Sequence, residues 1–481
     1  MEIVDILVML PAIGLLGSIV FDRILLNQIR HQIFQLFIVS ESLLYLGISL
    51  VLLEKVSDHP IQISSIKSLE IDWISAIFLV FVSFILLMVT IYSCFYIQPA
   101  DLHQLFAMIS SMYLGITIVL LSTNLISVFL GWELMVIAGY LLVIFNRSDK
   151  AIEAGIKYLI LSTLGSMIML SGIALLSGIL DGLNYAELEN ISSLFWGRIA
   201  IGLILAGIGV TSGIIFLNQW LPDAHSSAPT PVSAILSGVL VKMGVYLTFR
   251  VIHPLYPSAK MTNLIMIIGV LTLTEGNIMV FSQFFRSDMV DIKRILAYST
   301  VVHLGYLMIV VSQHTEIAIL ALVYHVINHG IAKTTLFLAV GYIYQQYHTK
   351  DLRMLKGILK RDYPLSVVFI ISLFSLGGFP GTGGFVSKLL VLIAFYQDSD
   401  FTFGITIMIF LVLLANSLFA FVGYMLIVKC LVFDPNTASP VGKPDPKLRL
   451  PLYFLCSMII LLGIFPKYVL DIILNIMQVG V

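Results

Sequence analysis

The sequence predicts an all-α polytopic membrane protein of about fourteen transmembrane helices, with two inverted five-helix units at its centre. Three observations predict it. Of 481 residues, 59% are hydrophobic and 11% charged, with a mean hydropathy of +1.03, whereas aqueous globular domains carry about 25% charged residues. Apolar runs of about 20 residues, the length that crosses a bilayer, recur along the whole chain with short loops between them. Two of those runs are interrupted, and the interruptions lie five spans apart.

The runs fall near 3–21, 33–53, 72–96, 104–122, 124–145, 156–180, 198–219, 229–252, 261–284, 292–312, 316–345, 364–396, 403–432 and 451–478. The start, MEIVDILVML, has no basic leader and reads as the first span rather than a cleaved signal. No soluble domain fits between the runs, and the nearest approach to a linker is the Pro-rich loop DPNTASPVGKPDPKLRLP (434–451). The expected organisation is a single membrane domain over 1–481. Within it, 1–103 supplies peripheral N-terminal helices, 104–253 the first unit, 261–432 the second, and 433–481 a C-terminal helix.

Basic residues set the orientation. Of the 26 Lys and Arg, six (Lys55, Lys67, Arg198, Arg250, Lys260 and Lys467) fall on one side, and Lys242, Lys333, Lys388 and Lys429 fall inside spans. The remaining sixteen share the other side, which is expected to be cytoplasmic. With an even number of spans, both termini are then expected on the non-cytoplasmic side of a cell membrane.

The seventh run breaks at Leu221-Pro222-Asp223-Ala224-His225, and the twelfth at Gly377-Gly378-Phe379-Pro380-Gly381-Thr382-Gly383-Gly384. Proline removes a helix hydrogen bond and glycine weakens the helix. In a membrane, the freed groups persist only where protein or water surrounds them. Five is an odd number of crossings, so matching helices of spans 4–8 and 9–13 have inverted topology, the pattern in which broken helices mark an ion path. No residue-level repeat accompanies the break positions.

Ionisable residues inside the spans are costly and read first as functional. Glu133 lies in the fifth span and Lys242 in the eighth, just after the first break. Lys388 follows the second break. Desolvation disfavours the charged form of such groups, the property a proton relay uses. Each also has a structural reading: Glu133 bonded to a neighbouring helix, Lys242 capping carbonyls of the broken helix, Lys388 reaching the headgroups. His325, His329 and Lys333 recur every four residues and so share one helix face. Two histidines four apart can hold a metal, but the lysine would repel the cation and no carboxylate accompanies them. A proton-relay face is the better reading, and no metal site is expected. His303 is a further relay candidate. Glu41 and Glu275 also lie in apolar runs, beside no break. Asp223 and His225 are expected to satisfy free amides or line the mouth of the first break. RSDMVDIKR (286–294) is expected to be a solvated connector or docking surface.

The remaining composition excludes other classes. A net charge of −1 offers no basic surface for nucleic acid. Cys94, Cys430 and Cys456 are too far apart for a metal or redox motif and read as small apolar fillers. No Gly-rich phosphate loop, CxxC or haem-attachment pattern appears, so no cofactor is expected and the chain has no visible means of moving electrons.

WLPDAHSSAPTPVSAILSGVLVKMGVY (220–246), DIKRILAYSTVVHLGY (291–306), NHGIAKTTLFLAVG (328–341) and GGFPGTGGFVSK (377–388) resemble the antiporter-like subunits shared by respiratory complex I, Mrp-type sodium/proton antiporters and membrane-bound hydrogenase-type complexes. WELMVIAGYLLV (132–143) and EAGIKYLILSTLGS (153–166) agree, and the likeness runs over roughly 100–430 in order. The resemblance implies fourteen helices, two inverted five-helix units and broken seventh and twelfth helices. It also implies ion translocation along a central polar axis, driven by redox chemistry in partner subunits of a peripheral arm. By the same resemblance Glu133, Lys242, Lys333 and Lys388 match the charged residues of the fifth, eighth, eleventh and twelfth helices. Lys157 matches a lysine near the start of the sixth. One position departs. The family usually places a lysine nine residues before the tryptophan of WLPDA, paired with the fifth-helix glutamate, and here that residue is Thr211. The chain ends soon after its last span, so a compact member without the lateral-helix extension of one branch is expected.

The expected function is ion translocation, of protons alone or in exchange for sodium, as a subunit of a redox-driven complex related to NADH-quinone oxidoreductase. Its partners would be other membrane subunits, redox subunits and lipid. Two alternatives stand: a non-conducting structural subunit, motivated by Thr211, and a subunit of an Mrp-type cation/proton antiporter.

Overall fold

The computed structural model describes residues 3–24, 28–56, 60–62, 68–191, 194–214, 217–255, 259–397, 403–435 and 438–479. Lys67, and Asn436 and Thr437 of the Pro-rich loop, lie outside them. Among the described residues, twelve helices are long and apolar enough to cross a membrane. Three shorter apolar helices are the first span and the two halves of the twelfth, which brings the crossings to fourteen.

The first six spans are α1 (Ile3–Ile24), α2 (Gln28–Val56), α3 (Trp73–Tyr96), α4 (Leu102–Leu121), α5 (Leu125–Val143) and α6 (Asp149–Ser177). Caps fix several starts: Asp72 accepts from the Ser75 amide in a reciprocal capping box, and Asn124 and Ser148 cap α5 and α6. A two-residue antiparallel pair, Ile61–Gln62 with Glu70–Ile71, closes the loop before α3.

The seventh span breaks earlier than its sequence suggests. Helix α7 (Phe195–Ser212) stops at Gly213, in the left-handed region at φ 74°, and α8 (Trp220–Ser227) runs straight through Pro222. Proline is tolerated there because the amides of a helix's first turn have no intrahelical acceptor. The chain turns again at Ala228–Pro229 into the eighth span. That span consists of α9 (Thr230–Ile235), a π-helical turn over Leu236–Leu240, and α10 (Val241–Ile252).

The second unit follows with α11 (Ala259–Phe284), α12 (Ile292–Val311), α13 (Glu316–Tyr347), the interrupted pair α14 (Tyr363–Gly377) and α15 (Gly383–Gln397), and α16 (Phe403–Val428). The fourteenth span is shorter than expected. Helix α17 (Arg449–Ile464) ends at Phe465, and α18 (Pro466–Val479) is separate. Proline removes the amide that would have continued the helix.

The repeat that the residues hide is visible in the backbone. Spans 4 and 5 meet at Gly115 and Gly131, and spans 9 and 10 at Gly269 and Gly305. In both pairs a Cβ on either glycine would meet the other's carbonyl at 2.7–3.0 Å. Such contact needs a small residue on each helix. Both interrupted spans end their first half on a left-handed glycine, Gly213 and Gly378, each with ψ 38°. The last span of each unit contains a π-helical turn, Leu236–Leu240 in the middle of the eighth and Lys429–Phe433 at the end of the thirteenth.

Candidate functional site: a buried row of lysines and histidines

The eighth span, α12 and α13 form the innermost layer, and α13 crosses the eighth span where glycines face each other. A Cβ on Gly330 would meet the Gly238 carbonyl at 3.0 Å, and one on Gly238 would meet the Thr334 hydroxyl at 2.5 Å. The same crossing brings Lys242 and Lys333 into one electrostatic neighbourhood. Both are fully buried. Lys242 donates to the carbonyl of Ser237, inside the π-helical turn. Turns of this kind concentrate at functional sites. Lys333 donates to the Leu296 carbonyl at 2.8 Å and to the Ser299 hydroxyl, both on α12.

One turn further, His303 of α12 meets His325 of α13, Nδ1 to Nε2, at 3.1 Å. The His303 and His329 rings stack at 4.4 Å, and the Tyr424 hydroxyl of α16 lies 3.4 Å from His303 Nε2. Both ring nitrogens of His329 and the Nδ1 of His325 have no protein partner. Buried groups in that condition take water. Lys388 of α15 ends the row. Its ammonium donates to the Gly377 carbonyl at 3.0 Å, beside the interruption, and sits 5.2 Å above the Tyr306 ring.

The row therefore contains three lysines and three histidines. Among the described residues no carboxylate forms a salt bridge with any of them. Carbonyls and hydroxyls supply the hydrogen bonds that a buried ammonium requires. Two like charges about 6 Å apart repel by roughly 3 kcal/mol at an effective dielectric constant near 20. Charging one site thus opposes charging the next.

Other residues singled out from sequence lie elsewhere. Glu133 stands on α5, apart from the row, with Oε1 buried and unpartnered. Thr211 is 1% exposed at the end of α7, packed against Gly165 of α6, and its one hydrogen bond is a long 3.5 Å contact with the Gly207 carbonyl. Lys157 is not in the interior. Its side chain is 48% exposed and pairs with Glu153 at 2.6 Å and Asp223 at 3.1 Å. Asp223 lines the mouth of the break as expected, paired to Arg294 as well. His225 is buried under it.

Two expectations are corrected. Glu275 does sit beside a break: it accepts from Asn218 Nδ2 at 3.1 Å, in the segment between α7 and α8. The 286–294 loop is solvated only over its first half, 286–289; its second half is buried. Asp291 is fully buried, and Lys293 is 5% exposed. A bridge between Asp291 and Asp351 clips this loop to the one after α13. The loop reads as solvated because charge density marks surface in sequence, whereas the partners that neutralise it come from α8 and the 350 region. Sequence reasoning also missed Ser299, Tyr306 and Tyr424, which are buried hydroxyl residues with no local signal.

A family model described as NADH:quinone oxidoreductase/Mrp antiporter, transmembrane, matches residues 122–427. NADH-quinone oxidoreductase subunit M of Rickettsia prowazekii is 31% identical over 334 residues, covering 68% of this chain and 66% of that protein. The subunit M of Pseudomonas aeruginosa is 29% identical over 377 residues, covering 74% and 71%. The chain thus spans about two thirds of the length of these relatives. Among solved structures, a chain of the membrane-bound sulfane sulfur reductase, an archaeal respiratory membrane complex, superposes with a TM-score of 0.87 at 23% identity, over 100% of this chain and 98% of that one. A chain of the Mrp complex from Dietzia sp. superposes at 0.86 with 20% identity, over 99% and 97%. At those identities the likeness is one of fold.

Proposed function

This chain belongs to the NADH:quinone oxidoreductase/Mrp antiporter transmembrane family, and on that footing we propose that it translocates protons, alone or in exchange for sodium, as a subunit of a redox-driven energy-converting membrane complex. The observation that carries the reading is the buried row Lys242, Lys333, His329, His303, His325 and Lys388, which bridges the two interrupted spans without a carboxylate to fix its charge. The relatives named subunit M belong by name to NADH-quinone oxidoreductases, which supports other membrane subunits and a peripheral redox arm as partners. The sixteen-residue basic side is taken as cytoplasmic, with both termini opposite it in a cell membrane.

Protonation moves as a hand-over. A proton arriving at Lys242 or Lys333 raises the cost of charge on the neighbouring imidazoles, which pass theirs toward Lys388. In the His303–His325 contact one ring donates and the other accepts, so a proton leaving one end is replaced from the other. The interruption at Gly377–Gly383 gives Lys388 a carbonyl that an unbroken helix would have used internally. Glu133 lies off this row, on α5, and would act on it electrostatically.

The test is proton pumping by the assembled complex carrying Lys242→Ala or Lys388→Ala. Both variants are expected to lose pumping at least ten-fold. Pumping unchanged in both, at normal assembly, overturns the reading. One observation favours a second reading, a non-conducting scaffold: Thr211 offers no ionisable partner for Glu133, and its hydroxyl is already directed at a backbone carbonyl.

A further inference from the structure

Glu41 has no place in the row, yet it is a carboxyl in the middle of a span. It stands on α2, 7% exposed, and its Oε2 has no protein partner. Among the described residues it joins no salt bridge. The carboxyl is pressed against α1 at Gly14, where a Cβ would meet both of its oxygens at 2.4 Å. Gly17, one turn on, leaves room for the Phe37 ring in the same way, at 2.6 Å. The two glycines let α1 close over α2, and the carboxyl fills the place that a side chain at position 14 would take. On its outer side α1 exposes Ile13 and Leu16, so a single helix covers the carboxyl there.

The polar neighbours of Glu41 are hydroxyls. Tyr45 follows one turn along the same face of α2, and Glu41 acts on it electrostatically. Its Oη lies 2.6 Å from Thr117 Oγ1 of α4, which donates to the Tyr113 carbonyl at 2.7 Å. The hydroxyls of Tyr113 and Ser110 are buried without a partner. Other titratable groups on the surrounding helices are distant or turned away. Asp5, Asp22 and Arg23 of α1 stand eight or nine positions from Gly14, which is about 12 Å or more along the axis. Tyr92 of α3 donates to the Leu338 carbonyl of α13 at 2.8 Å, and His103, near the start of α4, stacks on Phe34 at 4.4 Å. An ionised Glu41 would be a charge without a counter-ion inside the bilayer, which persists only where a partner or water reaches it.

We propose that Glu41 is a protonation site that seats α1: the neutral carboxyl lets α1 close over α2, and the ionised carboxyl releases it. The seated form holds a proton that the released form gives up to water. The seat is therefore complete at low pH and lost as pH rises. The site stands apart from the buried row, so its failure leaves the translocation reading untouched.

A neutral carboxyl one helix deep reacts with a lipid-soluble carbodiimide, and a carboxylate does not. The acid proton goes to one carbodiimide nitrogen and the carboxyl oxygen bonds to the central carbon. The acyl carbon then leaves that oxygen for the other nitrogen, so no group is lost and the chain gains one whole carbodiimide. The assembled complex in lipid nanodiscs, treated with dicyclohexylcarbodiimide and digested, reads this by mass spectrometry. Glu41 is expected to carry the adduct at pH 6.5 and at least five-fold less of it at pH 9.5. Amide exchange over α1, corrected for the intrinsic rate, is expected to rise at least five-fold across the same range. In Glu41→Gln, which is neutral at every pH, it is expected to stay flat. The absence of an adduct at Glu41 at pH 6.5, or equal labelling at both pH values, overturns the proposal. So does native α1 exchange that tracks Glu41→Gln throughout. Labelling of the native complex decides alone if the glutamine variant fails to assemble. Protection of Glu41 by sodium ions at constant pH also overturns it, because the carboxylate would then be holding a cation.

Discussion

His303 Nδ1 lies 3.1 Å from His325 Nε2, so a hydrogen bond joins the two imidazoles across the interface of α12 and α13. A proton crossing that bond in a relay would need both rings. His303→Gln and His325→Gln are each expected to reduce pumping at least ten-fold, and the double variant to reduce it no further. Measured losses that multiply in the double variant would show that the two rings act separately.

Gly238 and Gly330 permit the crossing that holds Lys242 near Lys333. A methyl on Gly238 would meet the Thr334 hydroxyl at 2.5 Å, and one on Gly330 would run into the Phe81 ring. Overpacking of this kind costs about 1–3 kcal/mol. Gly330→Ala is expected to lower the melting temperature and the yield of assembled complex. Gly47→Ala, where nothing lies within 4 Å, should leave both unchanged or slightly raised.

Thr211 makes only a 3.5 Å hydrogen bond to its own helix. Its hydroxyl is therefore expected to matter little, and Thr211→Val should pump within two-fold of native. A ten-fold loss would place that hydroxyl on the path. Thr211→Lys is expected to reduce assembly instead, because Gly165 already approaches this side chain closely.

Asp351 lies in the loop after α13. Burial alone would raise its carboxyl, but hydrogen bonds from Arg353 at 2.9 and 3.2 Å, with the amides of Arg353 and Val290, hold it below its ordinary value of 3.8. A depressed carboxylate stabilises the fold fully above that ordinary value, and the contribution is lost as pH falls through the lower folded value. Amide exchange at Ile292 and Leu352, which bond across the loop junction, should accelerate beyond the intrinsic rate as pH falls below 3.8. Asp351→Asn should show faster exchange already at pH 7 and no such step.

Much of the molecule is legible from residue order. Spans follow from apolar run length because the bilayer fixes the length of a helix that satisfies its own backbone. All fourteen runs hold spans, but the sixth starts early at Asp149, the seventh ends early at Ser212 and the last stops short before Pro466. The face shared by His325, His329 and Lys333 followed from helical spacing alone. Boundaries inside the seventh span did not. Pro222 looks like a breaker in sequence, but it occupies the first turn of α8, and Gly213 makes the turn.

The sequence by itself determined which groups are ionisable, which helices carry them, and that two spans are interrupted. Only the tertiary structure decided which of those groups meet. His303 had no local partner until α12 packed on α13, and Lys157 left the interior once Asp223 reached it from α8. Lys293 sank beneath a loop that reads as surface. The reason is that helix formation depends on neighbours one turn away, whereas the partner of a buried charge comes from whichever helix crosses it. Those crossings are set by small residues such as Gly238 and Gly330, nearly a hundred positions apart.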